Sequence, residues 1–195
     1  MPNVVQSTSL YGSVKLEKKF SARTMVPCTD SSLFRIARGA VRTLTYLDDG
    51  TPVVLGVWNT DDTVGGMLSH VKPYFIECLT TVEGTLFVPD HSLLTSYMKS
   101  HLQQIEELTL IRSHKTIELR VIKVLSWLSR KFGEDKEQGQ LINLRLTHQD
   151  LADLLGTTRV TMTRTLGQLE AQGLIQKLSL GRIILRESDT WFYEI

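Results

Sequence analysis

Cysteine and long apolar runs are scarce in this chain of 195 residues. Its two cysteines, Cys28 and Cys78, form no CxxC motif, and nothing near them has the spacing of metal ligands. No signal-peptide pattern is present, and the longest apolar runs are far too short to span a membrane. We therefore expect a cytoplasmic protein that binds no metal, has no membrane partner and keeps its thiols reduced.

Excess charge and catalytic motifs are lacking as well. The net charge is only +1, so the overall balance gives no reason to expect a nucleic-acid partner. The histidines show neither HxH nor HExxH spacing, and no GxSxG motif occurs. An enzyme built on a small β-domain is one alternative, but it would need a catalytic cluster that the sequence does not display. We expect no enzymatic activity.

The first half of the chain is patterned as short β-strands. Strands are predicted at 33–39, 41–47, 52–58, 75–81 and 85–88. Asp48-Asp49-Gly50 is a hairpin signal between two of them, because glycine accepts a positive φ. Several short strands separated by turns predict a small antiparallel jelly roll. With the helices that follow, the expected fold class is α+β.

A long helix is predicted next, from about Ser92 to Ile111, where neither glycine nor proline occurs. Its apolar stripe alternates steps of four and three and consists of Leu94, Met98, His101, Ile105 and Leu108. Two interpretations remain open: a coiled-coil dimerisation seam, which His101 would weaken, or packing on the chain's own barrel. A second helix is predicted from about Ile117 to Phe132. The polar loop predicted at 133–139 is a candidate contact for RNA polymerase, with a solvated loop as the alternative.

A helix–turn–helix pattern follows. Thr147 suits the N-cap of a first helix, which Gly156 ends, and Thr157 and Thr158 can cap a second helix from about Arg159 to Gln172. In the second helix the core face consists of Met162, Leu166 and Leu169. The opposite face carries Val160, Thr163, Arg164 and Gly167, with Arg159 on its flank. Such a face suits the major groove, although a merely solvated helix would look similar.

A predicted wing follows this helix. Residues 176–180 and 183–185 form a strand, tight-turn, strand pattern, and residues 156–186 carry five basic side chains against the single acid Glu170. The candidate DNA contacts are Thr147, His148, Gln149, Thr157, Thr158, Arg159, Val160, Thr161, Thr163, Arg164, Lys177, Ser179 and Arg182.

These motifs carry a family resemblance. The stretch LTHQDLADLLGTTRVTMTRTLGQLEAQGLI closely resembles the DNA-binding segment of the CRP/FNR family, and the likeness is dense over about Leu144 to Leu185. Upstream, LFRIARGAVRTLTYLDDG and DTVGGML resemble the family's sensor domain. The resemblance implies a sensor jelly roll at 1–90, possessing a shortened N-terminus, a dimerisation helix at 91–113 and a winged helix–turn–helix at 114–195. It implies a transcription regulator that binds palindromic DNA as a homodimer.

The resemblance also assigns roles to single residues. Arg159 and Arg164 match the family's base-contacting arginines, but Val160 stands where the common pattern has Glu. Valine cannot accept a hydrogen bond from cytosine, so a half-site different from the common TGTGA type is expected. The string RVTMTR is most similar to RVTVTR of the cyanobacterial nitrogen regulator NtcA, whose half-sites are GTA-like.

The effector site departs from the family. Gly66 stands where nucleotide-binding relatives have Glu, and Lys72–Pro73 falls near their Arg–Ser pair, so we expect no cyclic nucleotide to bind. The weak candidate effector residues are Gly65, Gly66 and Lys72. Two cysteines also exclude a four-cysteine oxygen-sensing cluster within one chain. No cofactor is expected. A small effector such as 2-oxoglutarate is suggested only by analogy with the nitrogen regulator NtcA. A sensor with a non-functional DNA-binding half remains the alternative function.

Overall fold

The computed structural model describes residues 16–186. Its first half contains seven strands: β1 (Leu16–Phe20), β2 (Leu33–Arg38), β3 (Val41–Tyr46), β4 (Pro52–Trp58), β5 (Thr63–Val64), β6 (Phe75–Cys78) and β7 (Val82–Phe87). They pair antiparallel in two sheets of order β1-β7-β2-β5 and β4-β3-β6. The α+β class with an N-terminal antiparallel β-domain is thereby confirmed. The ends of the predicted domains, residues 1–15 and 187–195, lie outside the described residues.

The hairpin between β3 and β4 forms at the predicted turn. Gly50 has φ +81°, and the Leu47 N–H donates to the Thr51 carbonyl at 2.9 Å. The last two strands differ from the expectation: β6 ends at Cys78, and β7 already begins at Val82. The predicted boundary was displaced because Glu83 and Gly84 interrupt the apolar pattern, although backbone pairing with β1 and β2 continues through them.

Helix α1 (His91–Ser113) packs one face on this β-domain. The His101 ring stacks on Trp58 with centroids 4.0 Å apart, and its Nε2 lies 2.9 Å from the Thr63 carbonyl oxygen. Gln104 lies one turn further on the same face, and its side-chain oxygen accepts from the Val57 N–H at 2.7 Å. These buried contacts fix the helix to the barrel.

The predicted apolar stripe of α1 is divided by this packing. His101 and Leu108 are buried against their own chain, whereas Met98 and Ile105 are 59% and 46% exposed. Leu102, which the stripe did not include, is 56% exposed beside them. One helix therefore carries two adjacent faces, one packed within the chain and one open.

The second half of the chain packs around an apolar core that also includes Val54, Val57 and Leu79 of the β-domain. Helices α2 (Ile117–Phe132), α3 (His148–Leu155) and α4 (Arg159–Ala171) pack against a sheet of order β10-β11-β9-β8. These strands are β8 (Gly133–Lys136), β9 (Gly139–Ile142), β10 (Ile175–Lys177) and β11 (Ile183–Leu185).

The prediction of a loop at 133–139 was wrong, because this segment belongs to the β8–β9 hairpin. Glu134 pairs with Leu141, and Asp135 pairs with Gln140. Every residue of β8 is exposed, since the strand lies at the edge of the sheet. An edge strand that buries neither face needs no apolar alternation, so the sequence pattern gave no strand signal.

Beside this shared apolar core, the two halves also meet through an arginine–carboxylate cluster formed by Arg23, Arg42, Glu77, Asp150 and Asp153. Both terminal guanidinium nitrogens of Arg23 donate to the Asp150 carboxylate at 2.6 Å. Arg42 donates to Glu77 at 2.7 Å and to Asp153 at 3.0 Å. Since Asp150 and Asp153 belong to α3, this cluster joins the β-domain to the helix–turn–helix.

Candidate nucleic-acid interface

The helix–turn–helix is built by local signals that act as predicted. Thr147 and Asp150 form a capping box at the start of α3, with the Thr147 hydroxyl accepting from the Asp150 N–H at 3.1 Å. Gly156 ends the helix in the left-handed region at φ +62°, where glycine has no steric penalty. Thr158 then caps α4 by accepting from the Thr161 N–H at 3.1 Å. These caps fix the turn between the helices.

The core face of α4 is the one that its periodicity predicts. Met162, Leu166 and Leu169 are all buried. Val160 is 79% exposed, and Arg159 and Arg164 are exposed as well. Within residues 16–186, neither arginine side chain has an ion-pair partner, so both charges are available to an external anion. The Arg159, Val160 and Arg164 side chains therefore form an open face, which we call the reading face.

Other candidate contacts have structural roles of their own. The Thr147 hydroxyl also donates to Asp150, and the Thr158 hydroxyl to that of Thr161. Gln149 donates to Asp153 at 2.6 Å, so its amide supports the cluster carboxylate. Thr157 is half-buried in the turn. These four residues shape the helix ends that surround the reading face.

His148 and Thr163 join the two helices. The His148 Nδ1 lies 2.8 Å from the Thr163 hydroxyl oxygen, and that hydroxyl also contacts the Arg159 carbonyl oxygen at 2.9 Å. Burial lowers the pKa of His148, and the positive charges of Lys177 and Arg159 lower it further. The free protein therefore holds this imidazole neutral at pH 7.

The first strand of the wing is shorter than predicted and its turn is longer, because β10 ends at Lys177 and β11 begins only at Ile183. The tip of the wing is a short helical turn over Ser179–Gly181, in which Leu180 has φ +63° and Gly181 has φ +72°. A Cβ at Gly181 would lie 2.6 Å from the Leu146 carbonyl oxygen, so this close approach requires glycine. Ser179 is exposed and Arg182 half-buried, with its Nε lacking a hydrogen-bond partner within residues 16–186.

Lys177 is not an unpaired cation. Its ammonium group lies 2.7 Å from the Glu170 carboxylate, and its backbone N–H donates to the same side chain. The Lys177 ammonium lowers the pKa of Glu170, so the pair is charged at neutral pH. The Lys177–Glu170 pair therefore offers no net positive charge to DNA.

The candidate effector residues come together in the β-domain. Lys72 pairs with Asp30, and a Cβ on Gly66 would contact the carboxylate of that pair at 3.1 Å. Gly65 packs against Leu33, where a Cβ would lie only 2.7 Å from its side chain. The ammonium of Lys72 is therefore already neutralised by an acid of the same chain.

Sequence reasoning missed the arginine–carboxylate cluster. Arg23 and Asp150, for example, are 127 positions apart in the sequence, and no sequence motif connects them. Burial would raise the pKa of Asp150, but hydrogen bonds from Arg23 and Thr147 outweigh it and lower the pKa. The one available signal was an arginine, Arg42, on a strand whose other residues are mostly apolar.

Helix–turn–helix, wing and open basic face define the class of this protein: a DNA-binding transcription regulator with a winged helix–turn–helix. Residues 119–189 match the sequence profile of the Crp-like helix-turn-helix domain. The chain is 36% identical over 167 residues to the regulatory protein CysR of Synechococcus elongatus, covering 83% of this chain and 80% of that relative. The chain belongs to the CRP/FNR family of transcription regulators.

Two further comparisons agree with this assignment. The global nitrogen regulator of Synechocystis sp. is 38% identical over 88 residues, which cover 45% of this chain and 39% of that protein. FixK2 of Bradyrhizobium japonicum has the same fold, with a TM-score of 0.77, 21% identity and coverage of 92% of this chain and 96% of that structure. None of the helices within residues 16–186 is both long and apolar enough to cross a membrane.

Proposed function

We propose that this protein is a cytoplasmic, non-enzymatic regulator that binds palindromic DNA as a homodimer through the reading face of α4. The observation that carries this proposal is the open face itself. Two arginines without ion-pair partners among the described residues flank the exposed Val160, on a helix whose opposite side is locked in the core. Arginine donates two hydrogen bonds to a guanine edge, and valine offers an apolar contact to a thymine methyl.

The open face of α1 supports the homodimer. Met98, Leu102 and Ile105 are spaced by four and three residues, which is the spacing of a coiled-coil seam. A second copy of this helix would remove these side chains from water. In a dimer each α4 would then meet one half-site of a two-fold symmetric operator.

Val160 supports a half-site other than the common family type. A side chain without acceptors cannot hold the cytosine amino group that Glu holds at this position, so we expect no selection for cytosine there. The GTA-like half-site of the nitrogen-regulator branch is the specific sequence proposed.

Selection of bound sequences from a random DNA library tests the reading face. We expect a palindrome, and Arg164→Ala should weaken binding to it by about 1–3 kcal/mol in a mobility-shift assay. Arg38→Ala is the matched control, because Arg38 is an exposed arginine on β2 of the β-domain. Equal affinities of the Arg164 and Arg38 variants would refute the assigned role.

The effector site and the RNA polymerase contact are the remaining parts of the proposal. Pairing of Lys72 with Asp30 supports a β-domain that does not bind cyclic nucleotide, and 2-oxoglutarate or another small effector rests on analogy alone. The exposed charged strand β8 is the proposed RNA polymerase contact. Repeating the library selection with and without cyclic AMP and 2-oxoglutarate tests the first point, because an effector would change the yield of bound DNA.

A further inference from the structure

We propose that protonation of His148 controls the DNA affinity of this protein, because the protonated ring donates from Nε2 to a DNA phosphate. This inference rests on the proposed function, namely that the reading face of α4 binds DNA. It concerns the rim of that face, where α3 begins. His148 is the first residue of α3 and is half-buried between the helices.

The proton positions follow from the hydrogen bonds. A hydroxyl group has one proton, and the Arg159 carbonyl oxygen can only accept. When Thr163 donates its proton to that carbonyl at 2.9 Å, its oxygen can only accept from His148 at 2.8 Å. Both bonds exist together only if Nδ1 carries a proton. The neutral ring therefore has a bare Nε2, for which the structure shows no hydrogen bond within residues 16–186.

A bare ring nitrogen cannot bind a phosphate, since both are hydrogen-bond acceptors. A second proton converts Nε2 into a charged donor, which is the group that a phosphate oxygen prefers. The position favours such a contact, because the positive end of the α3 dipole lies at His148. The Thr163 hydroxyl of α4 orients the ring, so an anion that approaches α4 also approaches His148.

The surrounding charges explain why DNA would shift this equilibrium. In the free protein, burial and then Lys177 and Arg159 disfavour the imidazolium. Glu170 is committed to Lys177, and Asp150 on the same helix is committed to Arg23 and Thr147. A DNA phosphate would supply negative charge next to the ring, so His148 would take up a proton when DNA binds. Affinity then rises as the pH falls, by up to about tenfold per subunit per pH unit.

Fluorescence anisotropy with a labelled duplex of the selected palindrome tests this linkage between pH 8.5 and pH 6.0 at constant ionic strength. Wild type should bind more tightly at each lower pH, and His148→Gln should remove most of that slope. His148→Arg, with a permanent charge, should bind tightly at every pH. His70→Gln is the matched control, because His70 is an exposed histidine of the β-domain and should leave the slope unchanged.

The outcomes separate the two proposals. Binding whose pH slope is the same in wild type and His148→Gln would overturn the role of His148 and leave the DNA-binding function standing. Absence of binding at every pH would overturn the function and this inference together. The ¹⁵N chemical shifts of His148 in free protein at pH 8 give a second readout. A proton on Nδ1 is expected, and a proton on Nε2 would contradict the hydrogen-bond assignment.

Discussion

Replacing Arg42 by methionine tests whether the arginine–carboxylate cluster holds the two halves of the chain together. Arg42 lies 2.7 Å from Glu77 and 3.0 Å from Asp153, and the three side chains are 12%, 10% and 7% exposed. Removing the cation leaves both carboxylates buried without it, which typically costs about 3–5 kcal/mol. Arg23 remains 3.6 Å from Glu77 and retains part of the compensation. We therefore expect a loss near the lower end, about 3 kcal/mol.

Urea unfolding gives the measurement, because Trp58 lies in the β-domain and Trp127 in α2, so single-tryptophan variants report on each half. Lys19→Met is the control, since the Lys19–Glu83 pair has side chains 68% and 44% exposed and solvent screening leaves such a pair little effect on stability. Adding Glu77→Gln and Asp153→Asn to Arg42→Met should restore part of the loss. If Arg42→Met costs no more than Lys19→Met, the cluster does not stabilise the junction.

Three further variants test the stability of the fold. The pKa of Asp150 is lowered in the folded protein, so its stabilisation is present above the unfolded value, about 3.9, and is lost as the pH falls through the folded pKa. The difference in unfolding free energy between wild type and Asp150→Asn should therefore shrink between pH 6 and pH 3; a constant difference would contradict this linkage. Gly139→Ala should destabilise by about 1–3 kcal/mol, because Gly139 has φ +127° and a Cβ would lie 2.2 Å from the Leu185 carbonyl oxygen. Gly167→Ala, inside α4 with open space around it, should instead stabilise by up to about 1 kcal/mol, and thermal unfolding of both variants checks the opposite signs.

Local sequence signals predicted the helix–turn–helix well because each of them acts over a few residues. Threonine caps, a left-handed glycine and apolar residues at helical spacing mark the ends and the core faces of α3 and α4 within short stretches of sequence. Strand β8 shows the limit of such signals. Its pairing with β9 is a backbone interaction, supported by polar bonds from Gln140 to Asp135 and from Asn143 to Glu134. Charged side chains of this kind leave no alternating apolar pattern in the sequence.

The site was predictable only in part for a similar reason. Exposure of Arg159, Val160 and Arg164 follows from the period of α4. The pairing of Lys177 with Glu170 also lay within reach, since the two residues are seven positions apart across the helix end. By contrast, the bond between His148 and Thr163 depends on the angle at which two helices pack, and periodicity carries no information about that angle.

Helix α1 shows how one periodic pattern can describe two surfaces. Its apolar residues extend around nearly half of the helix, so a stripe traced through Leu94, Met98, His101, Ile105 and Leu108 crosses from one surface to the other. Trp58 decides the boundary, because its ring takes His101 into the β-domain. His101, the polar residue that would weaken a dimerisation seam, is therefore not part of the open face. Met98, Leu102 and Ile105 remain there as a wholly apolar series, which strengthens the case for a second copy of α1 as its partner.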